Sequence, residues 1–332
     1  MARADLLIRL VQSGIRNDKV AFRKVVESII AEERSKQHKV LAEQLAGLLS
    51  VAPFEQPVHN GNVVLAESQL CNLFYEITPK KKFSDLVLSN DTFKICNSLV
   101  QEQHRAELLR SYNMEPRNRV LLIGPPGNGK TSLVEALAEA LVVPLLVVRY
   151  ESIVGSYLGD TASRLKKLFE YATARKCVLF FDEFETLGKE RGDPHETGEI
   201  KRVVSSLLLQ IDNLPSHVMV IGATNHGELL DRAVWRRFQI RMNLPLPTKA
   251  ALIEWFEKFE RRINTSLNYS PSELAKKLYG SNFAEAEEFA VSAYRQYILE
   301  QPNANMREIV SQALKEWDSR SVSIKSGEAP NA

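Results

Sequence analysis

One run of this chain, Gly124-Pro125-Pro126-Gly127-Asn128-Gly129-Lys130-Thr131, is built to hold phosphate. Its glycines allow backbone N–H groups to turn inward around an anion. The apolar stretch Val120–Ile123 before it reads as a strand, and Leu133, Leu137, Ala138 and Leu141 after it fall at helical spacing. Strand, glycine loop and helix start, in that order, form a cradle to which the helix adds its partial positive charge. Lys130 supplies a cation for the outer phosphates, Thr131 a hydroxyl for Mg²⁺, and Ser132 continues the binding run. The ligands implied are ATP and Mg²⁺. A glycine-rich turn with a chance lysine is the plainer reading, and the correct flanks argue against it.

Three further groups could complete a nucleotide site. Val178–Phe181 is an apolar strand candidate ending in Asp182 and Glu183. Acids are common at strand ends. Beside a phosphate loop, however, Asp182 can hold Mg²⁺ and Glu183 can polarise the water that attacks the terminal phosphate. Val218–Ala223 is a second apolar strand, followed by Thr224 and Asn225. Asn225 is either a turn residue or an amide reaching the attacking water or the terminal phosphate. Arg236 and Arg237 precede the last strand candidate. Paired arginines are usually solvated, but their planar, permanently charged forks suit spreading phosphate charge, including that on a neighbouring subunit. Ser156-Tyr157-Leu158-Gly159-Asp160 reads either as core packing or as an exposed apolar finger on a glycine hinge.

The elements that must position these groups alternate. Strand candidates at Val120–Ile123, Leu145–Arg149, Val178–Phe181, Val218–Ala223 and Phe238–Leu244 are separated by helix-period segments. Several are apolar almost throughout, as when helices cover both faces of a parallel sheet. The prediction is an α/β fold over 83–247, a doubly wound parallel sheet with ligand at the carboxyl ends of its strands. Pro245 and Pro247 punctuate its end, and 248–318 reads as an all-helical lid. Before the sheet, 1–50 reads as a helical region, with Phe22, Val25, Val26, Ile29 and Ile30 forming one apolar stripe. Glu32–Lys39 is polar on every face and fits either a solvated mid-helix or a break. Residues 51–82 read as a linker with some ordered pieces, ending in a solvated Lys80-Lys81-Lys82 turn. The tail, 319–332, is polar and reads as disordered.

Composition sets the class. The 332 residues suffice for about two domains. Forty-four per cent are hydrophobic and the net charge is +2, so neither nucleic acid nor a membrane is marked as a partner by charge. Cys71, Cys96 and Cys177 lack metal-ligand or disulfide spacing, which points to a reducing, cytoplasmic setting. No apolar run approaches the ~20 residues of a bilayer span.

Together these residues resemble the AAA family of AAA+ P-loop ATPases, the group of katanin, spastin and FtsH-like unfoldases, over roughly Phe83–Trp317. Gly124–Thr131 is similar to its Walker A run, with Asn128 where Thr is commoner, and Phe181-Asp182-Glu183 to Walker B. Ala223-Thr224-Asn225 resembles the first sensor. Leu230-Asp231 through Arg236-Arg237-Phe238 resembles the second region of homology in its adjacent-arginine form. Tyr157-Leu158-Gly159 matches the first pore loop, and Glu199–Arg202 would lie near a second. Asp85-Leu86-Val87 resembles the adenine-side segment. Gly280–Glu285 stands where the family has a Ser-Gly-Ala-Asp lid signature and departs from it. The resemblance implies a homo-oligomeric, usually six-membered ring whose Arg236 and Arg237 act across subunits. It implies that Tyr157 and Leu158 thread a protein substrate. No H-E-x-x-H motif follows, so proteolysis would need a separate protease chain. Nucleic-acid remodelling and nucleotide-timed scaffolding on the same core are the rival functions.

Overall fold

A computed structural model describes residues 73–149, 158–185 and 196–326, with Val25, Val26 and Ser28–Ile30. The chain divides into two compact units, Met1–Leu65 and Ala66–Ala332. Of the first, the described residues are helical, and Val26, Ile29 and Ile30 are buried as their stripe predicts. The remaining expectations for residues 1–72 lie outside the described residues.

The second unit is built on a six-stranded sheet. Its strands are β1 (Phe74–Ile77), β2 (Arg119–Ile123), β3 (Leu145–Val148), β4 (Cys177–Phe181), β5 (Val218–Thr224) and β6 (Ile240–Asn243). The order is β1-β3-β4-β5-β2-β6, all parallel except β1, which runs antiparallel along β3. Thus residues 74–77 of the expected linker form an edge strand, with Phe74 opposite Val148. Helices α1 (Asn90–His104), α2 (Ala106–Ser111), α3 (Lys130–Leu141), α4 (Leu158–Thr173), α5 (Glu196–Asn213) and α6 (Arg232–Arg237) connect the strands.

The near-continuous apolar strands follow from burial on both faces. Successive strand side chains point to opposite sides. Leu179 and Phe181 of β4 therefore join Leu165, Phe169 and Ile211 of α4 and α5 in one core. Val178 and Phe180 join Leu99, Leu133 and Leu137 of α1 and α3 in the other. Phe180 and Phe181 are fully buried on opposite faces, each worth roughly 1.5–3 kcal/mol of burial. Cys177 is buried, and burial pushes its thiol up to about 12. β6 is the far edge and alternates buried and exposed, Ile240 and Met242 inward. It starts two residues later than its apolar pattern suggests, because Phe238 turns into the core under α6.

Four helices follow: α7 (Lys249–Ile263), α8 (Pro271–Lys277), α9 (Phe283–Leu299) and α10 (Met306–Ser326). They enclose their own core around Leu252, Phe256, Leu274, Phe289 and Val310. Their starts are written in the sequence: Ser270 caps α8 with Pro271 at its first position, and Asn282 caps α9 reciprocally with Glu285. The disordered-tail expectation is corrected in part. α10 continues to Ser326, since polarity alone does not stop a helix and the next glycine is Gly327.

Candidate nucleotide site

The parallel register brings the carboxyl ends of β2, β4 and β5 to one edge. Ile123 lies opposite Thr224, and Phe181 opposite Gly222. The glycine loop leaves β2, the acids leave β4 and Asn225 leaves β5, so the predicted groups converge.

Lys130 opens α3 and is buried. Its ammonium donates to the Gly124 carbonyl at 2.7 Å, the Pro125 carbonyl at 3.0 Å and Asn225 Oδ1 at 2.7 Å. Burial lowers its pKa, and the charges of Asp182 and then Glu185 oppose that shift. Thr131 Oγ1 donates to Asp182 Oδ2 at 3.3 Å, so the hydroxyl and carboxylate expected to share a cation already face each other.

The three glycines serve different ends. A Cβ on Gly124 would stand 2.2 Å from the Leu244 carbonyl oxygen, and one on Gly127 would stand 2.6 Å from the Asn282 side chain. Those two admit close neighbours. Gly129, at φ +78°, has nothing within 4 Å of a built Cβ, so its surface is open. The loop is tied to its surroundings by Asn128 Nδ2 donating to the Leu244 carbonyl at 3.3 Å and by Ala284 N–H donating to the Gly127 carbonyl at 3.0 Å. The departed lid signature therefore touches the loop directly. Lys81 Nζ donates to Ser132 Oγ at 2.8 Å, while Lys80 and Lys81 N–H groups reach Glu135. The lysine run is docked on α3 rather than simply solvated. Asp85 accepts from Lys82 N–H within its own turn.

The acids are separated by backbone geometry. Glu183 takes φ +46° and is exposed, a sparsely populated conformation for a non-glycine residue. Its N–H donates to Asp182 Oδ1 at 3.0 Å. The chain then turns inward: Phe184 N–H donates to the Ala223 carbonyl at 2.8 Å, and its ring packs edge-on against Phe181 and Phe238. Glu185 follows it into the interior, where Oε1 accepts from Asn225 N–H at 3.2 Å. Sequence reasoning missed Glu185, because the Asp-Glu pair explained the strand end and only a positive φ at Glu183 carries the third acid beneath Asn225.

Arg236 and Arg237 diverge. Arg236 is exposed and makes no ion pair or hydrogen bond among the described residues. Arg237 Nε donates to Asp212 Oδ2 at 3.1 Å, and the same acid takes Arg119 at 2.8 Å. A cleft of about 420 Å³ opens between the loop and α6, lined by Gly124, Pro125, Asn225 and Trp235 among others. Tyr157 lies outside the described residues. Leu158 and Gly159 form the first turn of α4. Glu199–Arg202 lie in the first turns of α5.

A buried lysine at a glycine-loop helix start, an acid pair and a strand-end amide on a parallel sheet define a P-loop nucleoside triphosphatase. Residues 120–246 match the family model for the ATPase family associated with various cellular activities (AAA). The chain is 37% identical over 305 residues to an uncharacterized AAA family ATPase, y4kL, of Sinorhizobium fredii, covering 90% of this chain and 91% of that one. It is 30% identical over 267 residues to a putative 26S proteasome regulatory subunit homolog of Methanothermobacter marburgensis, covering 79% of this chain and 70% of the relative. It is 29% identical over 221 residues to an AAA ATPase forming ring-shaped complexes from Corynebacterium glutamicum, 61% of this chain and 41% of the relative. The chain belongs to the AAA family of ATPases, and its reaction is ATP hydrolysis. No helix among the described residues is long and apolar enough to cross a membrane.

Proposed function

We propose that this protein is a Mg²⁺-dependent ring ATPase that remodels or unfolds protein substrates by threading them past Tyr157 and Leu158. The observation that carries the ATPase part of this reading is the pair of contacts at the carboxyl ends of β2, β4 and β5, in which Lys130 meets Asn225 and Thr131 meets Asp182. Arg236, exposed on α6, is left for a neighbouring subunit. The names of the relatives support the same reading: one is called a proteasome regulatory subunit homolog and another forms ring-shaped complexes.

In this reading Lys130 binds the outer phosphates and the Gly129 backbone lies against them. Thr131 and Asp182 would hold Mg²⁺, which when bound neutralises phosphate charge. Glu183, exposed on its strained turn, accepts a proton from the attacking water, and Asn225 orients that water. Six subunits, a cytoplasmic setting and a separately encoded protease partner belong to the same proposal.

The test uses Glu183→Gln, which keeps the side-chain shape but cannot accept the proton, a loss of ~10²–10⁴-fold in turnover. This variant is expected to assemble in Mg-ATP, measured by light scattering. Unfolding of a tagged fluorescent protein by wild type, and its loss in Tyr157→Ala with ATP turnover retained, tests the threading. Turnover stimulated by nucleic acid and not by polypeptide would overturn the choice of substrate.

A further inference from the structure

Among the described residues, Glu185 is the one buried acid at the site that the reading above leaves without a task. It is 5% exposed, it contacts the backbone of Asn225, and its second oxygen, Oε2, is buried without a hydrogen-bond partner among the described residues. An acid retained for packing alone is costly, because an unpaired buried carboxylate oxygen forfeits its hydration. The surrounding geometry is rigid. Phe184, its chain neighbour, is fully buried and is held by the Ala223 carbonyl, one residue before Thr224 and two before Asn225. The Glu185 arm therefore starts from a fixed point and ends on the residue that must be aimed.

We infer that Glu185 is a positioning residue for Asn225: its Oε1 pins the Asn225 backbone amide at the end of β5 so that the side-chain amide stays aimed into the site. Asn225 is held at two points, its N–H by Glu185 and its Oδ1 by Lys130. When Lys130 turns to phosphate the second hold is released. The first remains, and it becomes what fixes the direction of the Asn225 side chain during hydrolysis. The inference rests on the reading of Asn225 as the group that orients the attacking water. A misplacement of about 1 Å at such a group can cost ~10²-fold in rate.

Two conservative variants separate position from charge. Glu185→Gln keeps the arm length and an accepting oxygen but removes the charge. Glu185→Asp keeps the charge and draws the oxygen back by one methylene. Each is assayed for melting temperature, for the Mg-ATP dissociation constant with a fluorescent analogue, and for kcat. Positioning predicts Glu185→Gln within about threefold of wild-type kcat and Glu185→Asp slower by at least about tenfold, both binding nucleotide normally. It also predicts that Glu185→Asp adds nothing further in an Asn225→Ala background, because the group it aims is gone. The reverse order, an active Asp and a slow Gln variant, overturns the proposal in favour of charge. Equal kcat in the two variants, or a loss that appears in binding alone, overturns it as well. Unchanged kcat in Asn225→Ala removes the role of Asn225 and this proposal with it. A slow Asn225→Ala beside an active Glu185→Asp overturns this proposal alone.

Discussion

Lys130 Nζ lies 2.7 Å from Asn225 Oδ1, so the side chain meant for phosphate is bonded to the amide expected to orient water. Two loop carbonyls occupy its remaining donors. Phosphate binding must therefore exchange these acceptors for phosphate oxygens, and the exchange frees Asn225. The two substitutions should then split binding from turnover. Lys130→Ala removes a charge-assisted contact to phosphate and is expected to weaken Mg-ATP binding on the order of 10²-fold or more. Asn225→Ala leaves Lys130 in place. It is expected to bind within a few-fold of wild type while hydrolysis slows by ~10²–10³-fold, as when a positioned amide is lost. Calorimetric titration beside phosphate release checks both, and wild-type affinity in Lys130→Ala would sink the site.

The adjacent arginines are expected to fail differently. Arg236 is free of intramolecular partners among the described residues, whereas Arg237 is anchored on Asp212 together with Arg119. Arg236→Ala should lose turnover in assemblies, keep ATP binding and keep its melting temperature. Arg237→Ala should melt earlier, by ~2–4 °C for a loss near 1 kcal/mol. Asp212→Asn should melt earlier as well. Mixing Arg236→Ala with Lys130→Ala subunits should restore part of the activity, since some interfaces then pair an intact site with an intact finger. No recovery on mixing, with both variants folded and co-assembled, removes the trans role.

The strands and the convergence of the site were legible because both are carried by local pattern. Unbroken apolar runs announced a sheet buried on both faces, and Gly124–Thr131 announced its own strand–loop–helix context. What escaped depends on distant contacts or on one dihedral. The edge strand Phe74–Ile77 has a mixed pattern, two of its four residues being exposed, and only β3 beside it makes it a strand. Nothing in the sequence marks Glu185 until φ at Glu183 is known. Arg236 and Arg237 are indistinguishable as letters, and Asp212, on another helix, decides between them.

Acid should weaken one brace of the fold in a defined direction. Glu102 on α1 takes the Arg117 side chain and its backbone N–H at 3.0 Å, just before β2. Burial raises the Glu102 pKa, but the Arg117 hydrogen bonds and charge outweigh it, and the carboxyl ends below its ordinary value. A depressed carboxyl stabilises the fold above its unfolded pKa, and that contribution is lost as pH falls through the folded one. Arg117 is 43% exposed, so the contribution is about 1 kcal/mol or less. Glu102→Gln should melt ~2–4 °C below wild type at pH 7. The gap should narrow as pH falls below the ordinary carboxylate value of 4.5. A gap that stays constant from pH 7 down to the acid limit of folding would show that the pair contributes nothing through charge.

Gly127 offers a direct test of the contact between the phosphate loop and the helical region. It sits at φ +76°, its carbonyl accepts from Ala284 N–H, and a built Cβ would stand 2.6 Å from Asn282 Oδ1 and 2.9 Å from Nδ2. Gly127→Ala therefore meets two separate penalties, the left-handed backbone at ~1–2 kcal/mol and the clash with Asn282. Asn282→Ala removes the clashing atoms but also the cap of α9, a loss of ~1 kcal/mol. If the lid rests on the loop as described, the penalties are not additive: the double variant should be more stable than the two single losses predict, because the clash exists only when both side chains are present. Melting temperatures of the four proteins complete the cycle. Nucleotide affinity should follow the same order, since pushing Asn282 away displaces the backbone that cradles phosphate. Strict additivity in stability would mean that Asn282 does not contact Gly127, and the coupling of lid to loop would then have to rest on the Ala284 N–H bond to the Gly127 carbonyl.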